Sequence, residues 1–337
     1  MAERAQRPPA EFEQALRELG LAGDETLLGE PLTGGVSSDI WRIDTAQGPV
    51  CAKRALSRLR VAAEWTAPIE RNLYEARWMQ VAETARPGSA PQLLGQHPGL
   101  GVLVMRYLPA AEYPLWKQQL RDGLADPATA RAVGQTLVAI HAHSAALPEL
   151  APQFDSQGIF FDIRLDPYLL ATADKHPDCA EALRALVTQT QAYRLALVHG
   201  DVSPKNILVG PTGPVLLDAE CACWGDPAFD LAFCLNHLLL KALWNPAARA
   251  GYRQCFDALG QAHLQGVNWE LQAAFERRAA ALLPGLLLAR VDGKSPVEYL
   301  SDDVHRAPVR RCARALLQAP VATLAEVAAA WQRELGT

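Results

Sequence analysis

The chain has 337 residues, of which 50% are hydrophobic and 20% are charged, and its formal net charge is −5. This length and composition are typical of a soluble globular protein with two domains or lobes, and the acidic balance excludes nucleic acid as an expected partner. The absence of an apolar stretch of about 18 residues argues against a membrane span. Seven scattered cysteines and an N-terminus unlike a secretory signal predict reduced thiols and a cytoplasmic location.

The N-terminal third of the sequence predicts a small antiparallel sheet with accompanying helices. Apolar residues at helical spacing predict a helix over residues 10–19 and a second helix within residues 64–82. The predicted strands are residues 27–32, 36–43, 50–55 and 101–107. The pattern indicates a small nucleotide-binding lobe with a hinge, residues 1–108, followed by a larger lobe, residues 109–337.

The larger lobe is predicted to be mostly helical. Three proline residues directly follow a residue that is favoured at a helix N-cap, and proline is well tolerated at the first helical position. Asp126-Pro127, Asp166-Pro167 and Asn245-Pro246 therefore each predict the start of a helix. The predicted fold class is α+β and bilobal, with a small antiparallel β-sheet lobe and a larger, mostly helical lobe.

A glycine-rich turn lies between the first two predicted strands. Gly34 and Gly35 would let backbone N–H groups approach phosphate oxygens, and Ser37 and Ser38 add hydroxyl donors. An ordinary hairpin turn is the alternative explanation. The turn is not a P-loop, because no Gly-Lys-Ser/Thr sequence opens a helix after it.

The most informative segment of the chain is residues 199–220. Asp201 precedes Asn206 by five positions, and two short apolar segments joined by a turn then lead to Asp218. Two strands joined by a tight turn bring Asn206 and Asp218 side by side, and their oxygens suit Mg²⁺. The spacing is that of a kinase catalytic loop. It predicts that Asp201 orients an acceptor hydroxyl and takes its proton, and that Asn206 and Asp218 hold magnesium.

This segment resembles the aminoglycoside phosphotransferase and choline kinase superfamily, the small-molecule branch of the protein-kinase-like fold. Asp218-Ala219-Glu220 is similar to the D-x-E of methylthioribose kinases, and residues 225–232 are similar to the family sequence G-D-P-x-x-D-L-A. The resemblance implies a bilobal kinase fold, ATP, magnesium and a small hydroxylated substrate. It also implies that Glu220 holds a second ion or its water, and that Asp230 braces the catalytic loop.

The same resemblance implies roles for residues of the small lobe. Lys53, in Val50-Cys51-Ala52-Lys53, is similar to the kinase lysine that pairs with the nucleotide phosphates and with a helix glutamate. Glu75 is the first candidate for that glutamate, and the glutamates at positions 64 and 70 are left open. Met105 and Tyr107 would lie at the hinge, whose backbone would hydrogen-bond adenine.

The short interval between Asp218 and Asp230 leaves no room for the activation segment of a protein kinase, so a small acceptor is favoured. The predicted function is ATP-dependent transfer of the γ-phosphate to a hydroxyl of an aminoglycoside, a sugar or an amino alcohol. The alternative is a nucleotide-binding pseudokinase with a regulatory role. Trp224 and residues 290–295 are candidates for the wall of the acceptor pocket. The identity of the acceptor, the oligomeric state and the preference for ATP or GTP are left open.

Overall fold

A computed structural model of the protein describes residues 6–32, 38–56 and 70–336. The strands are β1 (Leu28–Pro31), β2 (Ser38–Thr45), β3 (Gly48–Ala55), β4 (Leu93–His97), β5 (Val102–Arg106), β6 (Ala196–Val198), β7 (Ile207–Gly210), β8 (Gly213–Leu216) and β9 (Cys223–Gly225). The α-helices are α1 (Ala10–Glu18), α2 (Arg71–Ala85), α3 (Trp116–Arg121), α4 (Pro127–Ala145), α5 (Gln157–Phe160), α6 (Ala171–Lys175), α7 (Ala180–Ala192), α8 (Ala228–Trp244), α9 (Arg249–Gln265), α10 (Gln272–Asp292), α11 (Asp303–Gln318) and α12 (Leu324–Leu335).

The small lobe is a five-stranded antiparallel sheet with the order β1-β2-β3-β5-β4. Helix α1 packs on one face of it, where Phe12 and Leu16 are fully buried with Ile43 of β2 and Val104 of β5. The sequence pattern did not predict β4, because this strand contains Gly95 at an irregularity in its pairing and is only half-buried along its length.

The large lobe is built on α8, whose residues from Ala228 to Leu243 are all buried. Helices α9 and α10 pack on α8, and α4 packs closely on α9. Two small two-stranded sheets, β6–β9 and β7–β8, lie beside this helical core. They carry the loops in which the acidic and amide side chains of residues 199–220 are placed.

The three proline signals have different outcomes. Asp126 caps α4 as predicted, since its carboxylate accepts hydrogen bonds from the N–H groups of Ala128 at 2.9 Å and Thr129 at 3.1 Å. The prediction for Asp166-Pro167 is wrong, because Pro167 lies inside a π-helical segment that begins at Phe161. The widened turn tolerates a residue that lacks a backbone N–H. Asn245-Pro246 starts only a 3-10 turn, which precedes α9.

The buried hydrophobic residues form two clusters. The smaller cluster lies between α1 and the sheet. The larger one extends from the helical lobe into α2, through Trp78 and Met79, and reaches Leu103 of β5. Helix α2 is therefore the element through which the two lobes share a core. Among the described helices, none combines the length and the hydropathy that a membrane crossing would need.

Candidate active site

The β7–β8 hairpin places Asn206 and Asp218 at the same end of one two-stranded unit. Ile207 pairs with Leu216, and the N–H of Leu217 donates to the carbonyl oxygen of Asn206 at 2.8 Å. Asp218 has φ 68°, the left-handed region that a residue with a Cβ rarely adopts. Strained backbone of this kind is concentrated at functional sites, where the surrounding structure holds it in place.

Asp201 is buried, and three donors converge on its Oδ2 atom. Arg164 lies at 2.8 Å, Lys205 at 3.1 Å and the side-chain amide of Asn206 at 2.9 Å. Within the described residues, no group forms a hydrogen bond or an ion pair with the other oxygen, Oδ1. Because the Asn206 amide nitrogen donates to Asp201, its amide oxygen is left to act as a ligand.

The charge on Asp201 is maintained in spite of burial. Burial by itself would raise the pKa of this carboxyl group, but the nearby cations of Arg164 and Lys205 outweigh it, and the pKa is lowered. Sequence reasoning missed Arg164 altogether. The signal that could have found it is a lone arginine between apolar neighbours, in Ile163-Arg164-Leu165, since a buried arginine requires an acidic partner.

Asp230 fixes the backbone at the start of the loop that contains Asp201. Its two carboxylate oxygens accept the backbone N–H groups of His199 at 2.7 Å and Gly200 at 2.8 Å. His141 contacts the same carboxylate at 3.1 Å, and His263 contacts the other ring nitrogen of His141 at 3.1 Å. This buried chain of polar groups fixes the backbone immediately before Asp201. Here His141 serves as a hydrogen-bonding side chain in the core.

His199 has a structural position in the loop. Its Nδ1 accepts the N–H of Asp201 at 3.1 Å, and its Nε2 lies 3.1 Å from the carbonyl oxygen of Leu217, an arrangement that requires a neutral ring protonated at Nε2. Burial lowers the pKa of His199, consistent with that neutral form. The ring also packs edge-on against Trp78 of α2, with a centroid distance of 4.7 Å.

Lys53 connects the small lobe to the metal-ligand candidates. Its ammonium group pairs with Glu75 of α2 at 2.8 Å and also contacts the carboxylate of Asp218. Burial opposes the charge on Lys53, but Asp218 and Glu75 outweigh it, and the pKa of Lys53 is raised. Of the other glutamates considered, Glu70 is exposed before α2 and Glu64 lies outside the described residues.

Glu220 is buried against Arg71, the first residue of α2. The Nε of Arg71 donates to Oε2 of Glu220 at 2.9 Å, and the guanidinium group is fully buried. This ion pair joins the segment after Asp218 to the helix that carries Glu75. In the described part of the chain, the second oxygen of Glu220 has no partner.

Of the remaining candidates for nucleotide contacts, three lie within the described residues and three do not. Gly34, Gly35 and Ser37 lie outside the described residues. Ser38 begins β2, and its hydroxyl is buried without a hydrogen-bond partner among the described residues. Met105 is buried in β5, where it pairs with Cys51 and Leu93, and Tyr107 follows that strand half-buried. Their contact with adenine stays a prediction.

Two further expectations concern metal ligands and the pocket wall. A search of residues 6–32, 38–56 and 70–336 finds no group of three or more His, Cys, Asp or Glu side chains arranged as metal ligands. Two protein oxygens with phosphate oxygens and water satisfy magnesium, so the pair formed by Asn206 and Asp218 has the required chemistry. Trp224 is buried in β9, where its indole N–H donates to the carbonyl oxygen of Arg194 at 3.2 Å. It is therefore a core residue.

Comparison with known sequences identifies a protein family. The model of the phosphotransferase enzyme family matches residues 29–262, which is more than half of the chain. A methylthioribose kinase of Cronobacter sakazakii is 25% identical over 276 residues, covering 72% of this chain and 67% of that kinase. The chain thus matches about two thirds of the length of this curated relative.

Comparison with solved structures supports the bilobal α+β fold. Amicoumacin kinase, solved in complex with AMP-PNP, Ca²⁺ and Ami, superposes with a TM-score of 0.57 at 12% identity, covering 94% of this chain and 96% of that one. An aminoglycoside phosphotransferase of Alicyclobacillus acidocaldarius gives a TM-score of 0.51 at 17% identity, covering 100% and 99%. At this level of identity the likeness concerns the fold.

Proposed function

We propose, from the premise that this chain belongs to the phosphotransferase enzyme family, that it transfers the γ-phosphate of ATP to a hydroxyl group of a small molecule. The observation that carries this proposal is the environment of Asp201. Three donors hold one oxygen of its carboxylate, and the other oxygen has no partner in the described structure. That free oxygen is the atom that would accept the proton of an acceptor hydroxyl.

Phosphoryl transfer requires positioning and charge stabilisation more than covalent chemistry from the protein. We assign Asp201 to orienting the hydroxyl and accepting its proton, and Lys53, held by Glu75, to the nucleotide phosphates. Magnesium, held by Asn206 and Asp218, would neutralise charge on the phosphate oxygens. We assign the free oxygen of Glu220 to a second ion or its water. The glycine-rich turn, including Gly34, Gly35, Ser37 and Ser38, is proposed to cover the phosphates, with adenine at the backbone of Met105 and Tyr107.

The acceptor class proposed here covers aminoglycosides, sugars and amino alcohols. A screen of such compounds for acceptor-stimulated release of ADP, in the presence of magnesium, tests the activity directly. We expect at least one class to stimulate release several-fold over the rate with ATP alone. Nucleotide binding without stimulation by any compound would instead favour a pseudokinase.

Asp201→Asn tests the proposed catalytic group. The amide keeps the shape of the side chain but cannot take a proton, so we expect acceptor-stimulated turnover to fall by about 100-fold or more. The affinity for an ATP analogue, measured by calorimetry, should stay close to that of the wild type. Asp174→Asn, which changes an exposed aspartate, is the matched control. Wild-type turnover in Asp201→Asn would remove this residue from its role.

We further propose that the enzyme acts in the cytoplasm. All seven cysteines are free thiols, and six of them are buried. Reduced cysteines in a chain of this length are the usual condition of proteins in a reducing compartment.

A further inference from the structure

Four polar side chains of the large lobe lie near one another outside the loop of residues 199–206. We call them the distal cluster: His237 and Lys241 of α8, Arg290 of α10, and Tyr299 of the segment between α10 and α11. His237 and Lys241 are four residues apart and so share a face of α8. The exposed fractions of His237, Lys241 and Arg290 are 6%, 1% and 8%.

The distal cluster has hydrogen-bonding groups that are left unused. His237 Nε2, Arg290 Nε and the Tyr299 hydroxyl are all buried without a hydrogen-bond partner in the described part of the chain. Leaving one such group unpaired costs about 1–3 kcal/mol, so three in one place are unusual in a stable interior. The Nη1 atom of Arg290 already donates to the carbonyl oxygen and hydroxyl of Ser295 and to the hydroxyl of Tyr168, whereas its Nε has no partner among the described residues. Buried polar atoms without partners are what a polar ligand would satisfy.

Lys241 has no carboxylate partner among the described residues. Its ammonium nitrogen lies 4.0 Å from the ring centroid of Trp244 and 4.1 Å from that of Tyr299. These two rings are stacked on each other, with centroids 4.3 Å apart. Aromatic faces are the usual binding groups for a cationic ligand. Here the chain's own lysine occupies them, and this arrangement disfavours a cationic acceptor at this point.

The charge around the cluster is predominantly positive. Burial, with the neighbouring cation of Lys117, lowers the pKa of Lys241 to about 7, and burial with Arg290 and Lys241 keeps the pKa of His237 well below its ordinary value. Glu298 is the nearby acid, but it pairs with Lys117 and its side chain is 64% exposed. The distal cluster therefore lacks an anion.

Direct contacts connect the distal cluster to the catalytic aspartate. Arg164, which holds Asp201 at 2.8 Å, lies over the ring of Tyr168 at 5.8 Å. The hydroxyl of Tyr168 accepts a hydrogen bond from Arg290 at 3.0 Å. The same guanidinium group of Arg164 lies over Phe233, whose ring contacts His237 with a centroid distance of 5.4 Å. The cluster thus lies on the Arg164 side of Asp201, within the helical lobe.

We infer that the acceptor alcohol carries an anionic group, a carboxylate or a phosphate, that the distal cluster binds while the hydroxyl lies at Asp201. This inference rests on the proposed function and narrows its substrate class. An anion would accept hydrogen bonds from Arg290 and Tyr299 and would pair with the ammonium group of Lys241. Within the proposed classes, the inference favours acidic sugars and other hydroxylated acids over aminoglycosides and amino alcohols.

The first test uses alcohols with a common carbon skeleton that end in a carboxylate, a phosphate, a neutral group or an ammonium group. Stimulation of ADP release by the carboxylate or the phosphate series is expected, and the two series distinguish the sources of the anion. Stimulation mainly by the neutral or ammonium series would overturn the inference while leaving the proposed kinase activity intact.

The second test measures kinetics of variants with the best anionic acceptor. Lys241→Met keeps the length of the side chain and removes its charge, and we expect the acceptor KM to rise about 10- to 100-fold, as for loss of a hydrogen bond to a charged group. Tyr299→Phe removes one hydroxyl and should raise the acceptor KM about 3- to 10-fold. The KM for ATP should not change. Lys175→Met, which changes an exposed lysine of α6, is the matched control and should behave as wild type.

A purely structural role for the cluster would lower activity with every acceptor alike. Equal losses with anionic and neutral acceptors would therefore contradict the inference, as would an unchanged KM in both variants. If Lys241→Met does not fold, Tyr299→Phe provides the same comparison.

A direct binding measurement separates failure of this inference from failure of the proposed function. Sulfate is titrated by calorimetry into protein saturated with AMP-PNP and magnesium, so that the nucleotide site is filled. Wild type is expected to bind sulfate with proton uptake, seen as a heat that differs between buffers, because an anion favours the charged form of Lys241. Tyr299→Phe should bind more weakly, and Lys241→Met should lose the proton uptake. No binding to wild type would overturn the inference whether or not any acceptor is turned over.

Discussion

Asp218 is a residue at which the small lobe contacts the segment of residues 199–220. Its backbone is in the left-handed region, and its carboxylate contacts Lys53 of the opposite lobe. The cations of Lys53 and Lys205 overcome the effect of burial and hold the pKa of Asp218 well below its ordinary value. The side chain is therefore an anion at any pH at which a nucleotide complex would be studied, as a magnesium ligand must be.

Asp218→Ala is expected to abolish magnesium-dependent binding of nucleotide, because it removes one of the two proposed protein ligands and leaves Lys53 paired only with Glu75. Calorimetric titration of AMP-PNP with and without magnesium measures the effect. Asp122→Ala, at an exposed position after α3, serves as the control. Wild-type affinity of the Asp218 variant in magnesium would refute the metal assignment.

Local spacing in the sequence predicted which of the proposed site side chains lie together, but it did not predict the groups that hold them. Asp201, Asn206 and Asp218 could be predicted from local spacing, since they lie within one hairpin and its flanking loop. Arg164 and Arg71 could not, because their partners are distant along the chain and the pairing depends on helix packing. Spacing predicts contacts inside a supersecondary unit, whereas ion pairs between units require the tertiary structure.

At the scale of elements, α4 and α9 determine how the helical lobe encloses the catalytic loop. They pack closely because Gly134 has no side chain at their crossing. A Cβ at that position would lie 2.4 Å from the carbonyl oxygen of Leu259. Helix α4 also supplies His141, and α9 supplies His263, to the polar chain behind the loop. The α4–α9 crossing is therefore connected to Asp230 through His141 and His263.

Gly134→Ala should destabilise the protein by about 1–3 kcal/mol, since the helices must move apart to admit a methyl group. Gly260→Ala is the matched control within α9. Its Cβ would meet Leu324 at 3.5 Å and Leu235 at 3.9 Å, both ordinary contacts. Because alanine is a better helix former, Gly260→Ala should be neutral or stabilising by up to about 1 kcal/mol. Urea unfolding of both variants provides the comparison, and equal effects would contradict the close-packing argument.

Helices and strands that depend on neighbouring residues could be predicted from the sequence, whereas those that depend on contacts distant along the chain could not. The cap at Asp126 was predictable because it depends only on the short segment of residues 126–129. The π-helical segment around Pro167 was not, since its path is set by Arg164 donating to the carbonyl oxygen of Gly200 at 2.5 Å. Strand β4 has too little alternation to be detected alone, and it exists because β5 offers it an edge to pair with.

At the scale of the whole molecule, the two lobes are joined through α2 and by charged pairs. Besides the contacts of Lys53 and Arg71, Arg77 of α2 donates to the carbonyl oxygen of Gln153 in the large lobe at 2.7 Å. The lobes also share the larger hydrophobic cluster. We therefore expect unfolding to respond to buried ionisable groups in either lobe, and pH to be a sensitive probe of it.

For His263, the direction in which stability changes with pH can be predicted. The ring is fully buried, and burial holds its pKa well below the ordinary value. Below about pH 6.5 the unfolded chain binds a proton at this residue while the folded chain does not, so stability falls as the pH falls. The loss between about pH 7.5 and about pH 5.5 is about 1.4 kcal/mol for this one group.

His263→Phe should remove that contribution, so its stability should decrease less than that of wild type between the two pH values, by about 1.4 kcal/mol. Phenylalanine retains the stacking on Phe275, whose ring lies 5.1 Å away by centroids and nearly parallel. Phe275→Leu disturbs the same contact without removing a titrating group, and it should keep the wild-type pH response. Urea unfolding at both pH values gives the difference, and an identical pH response in wild type and His263→Phe would show that His263 takes up a proton in the folded protein.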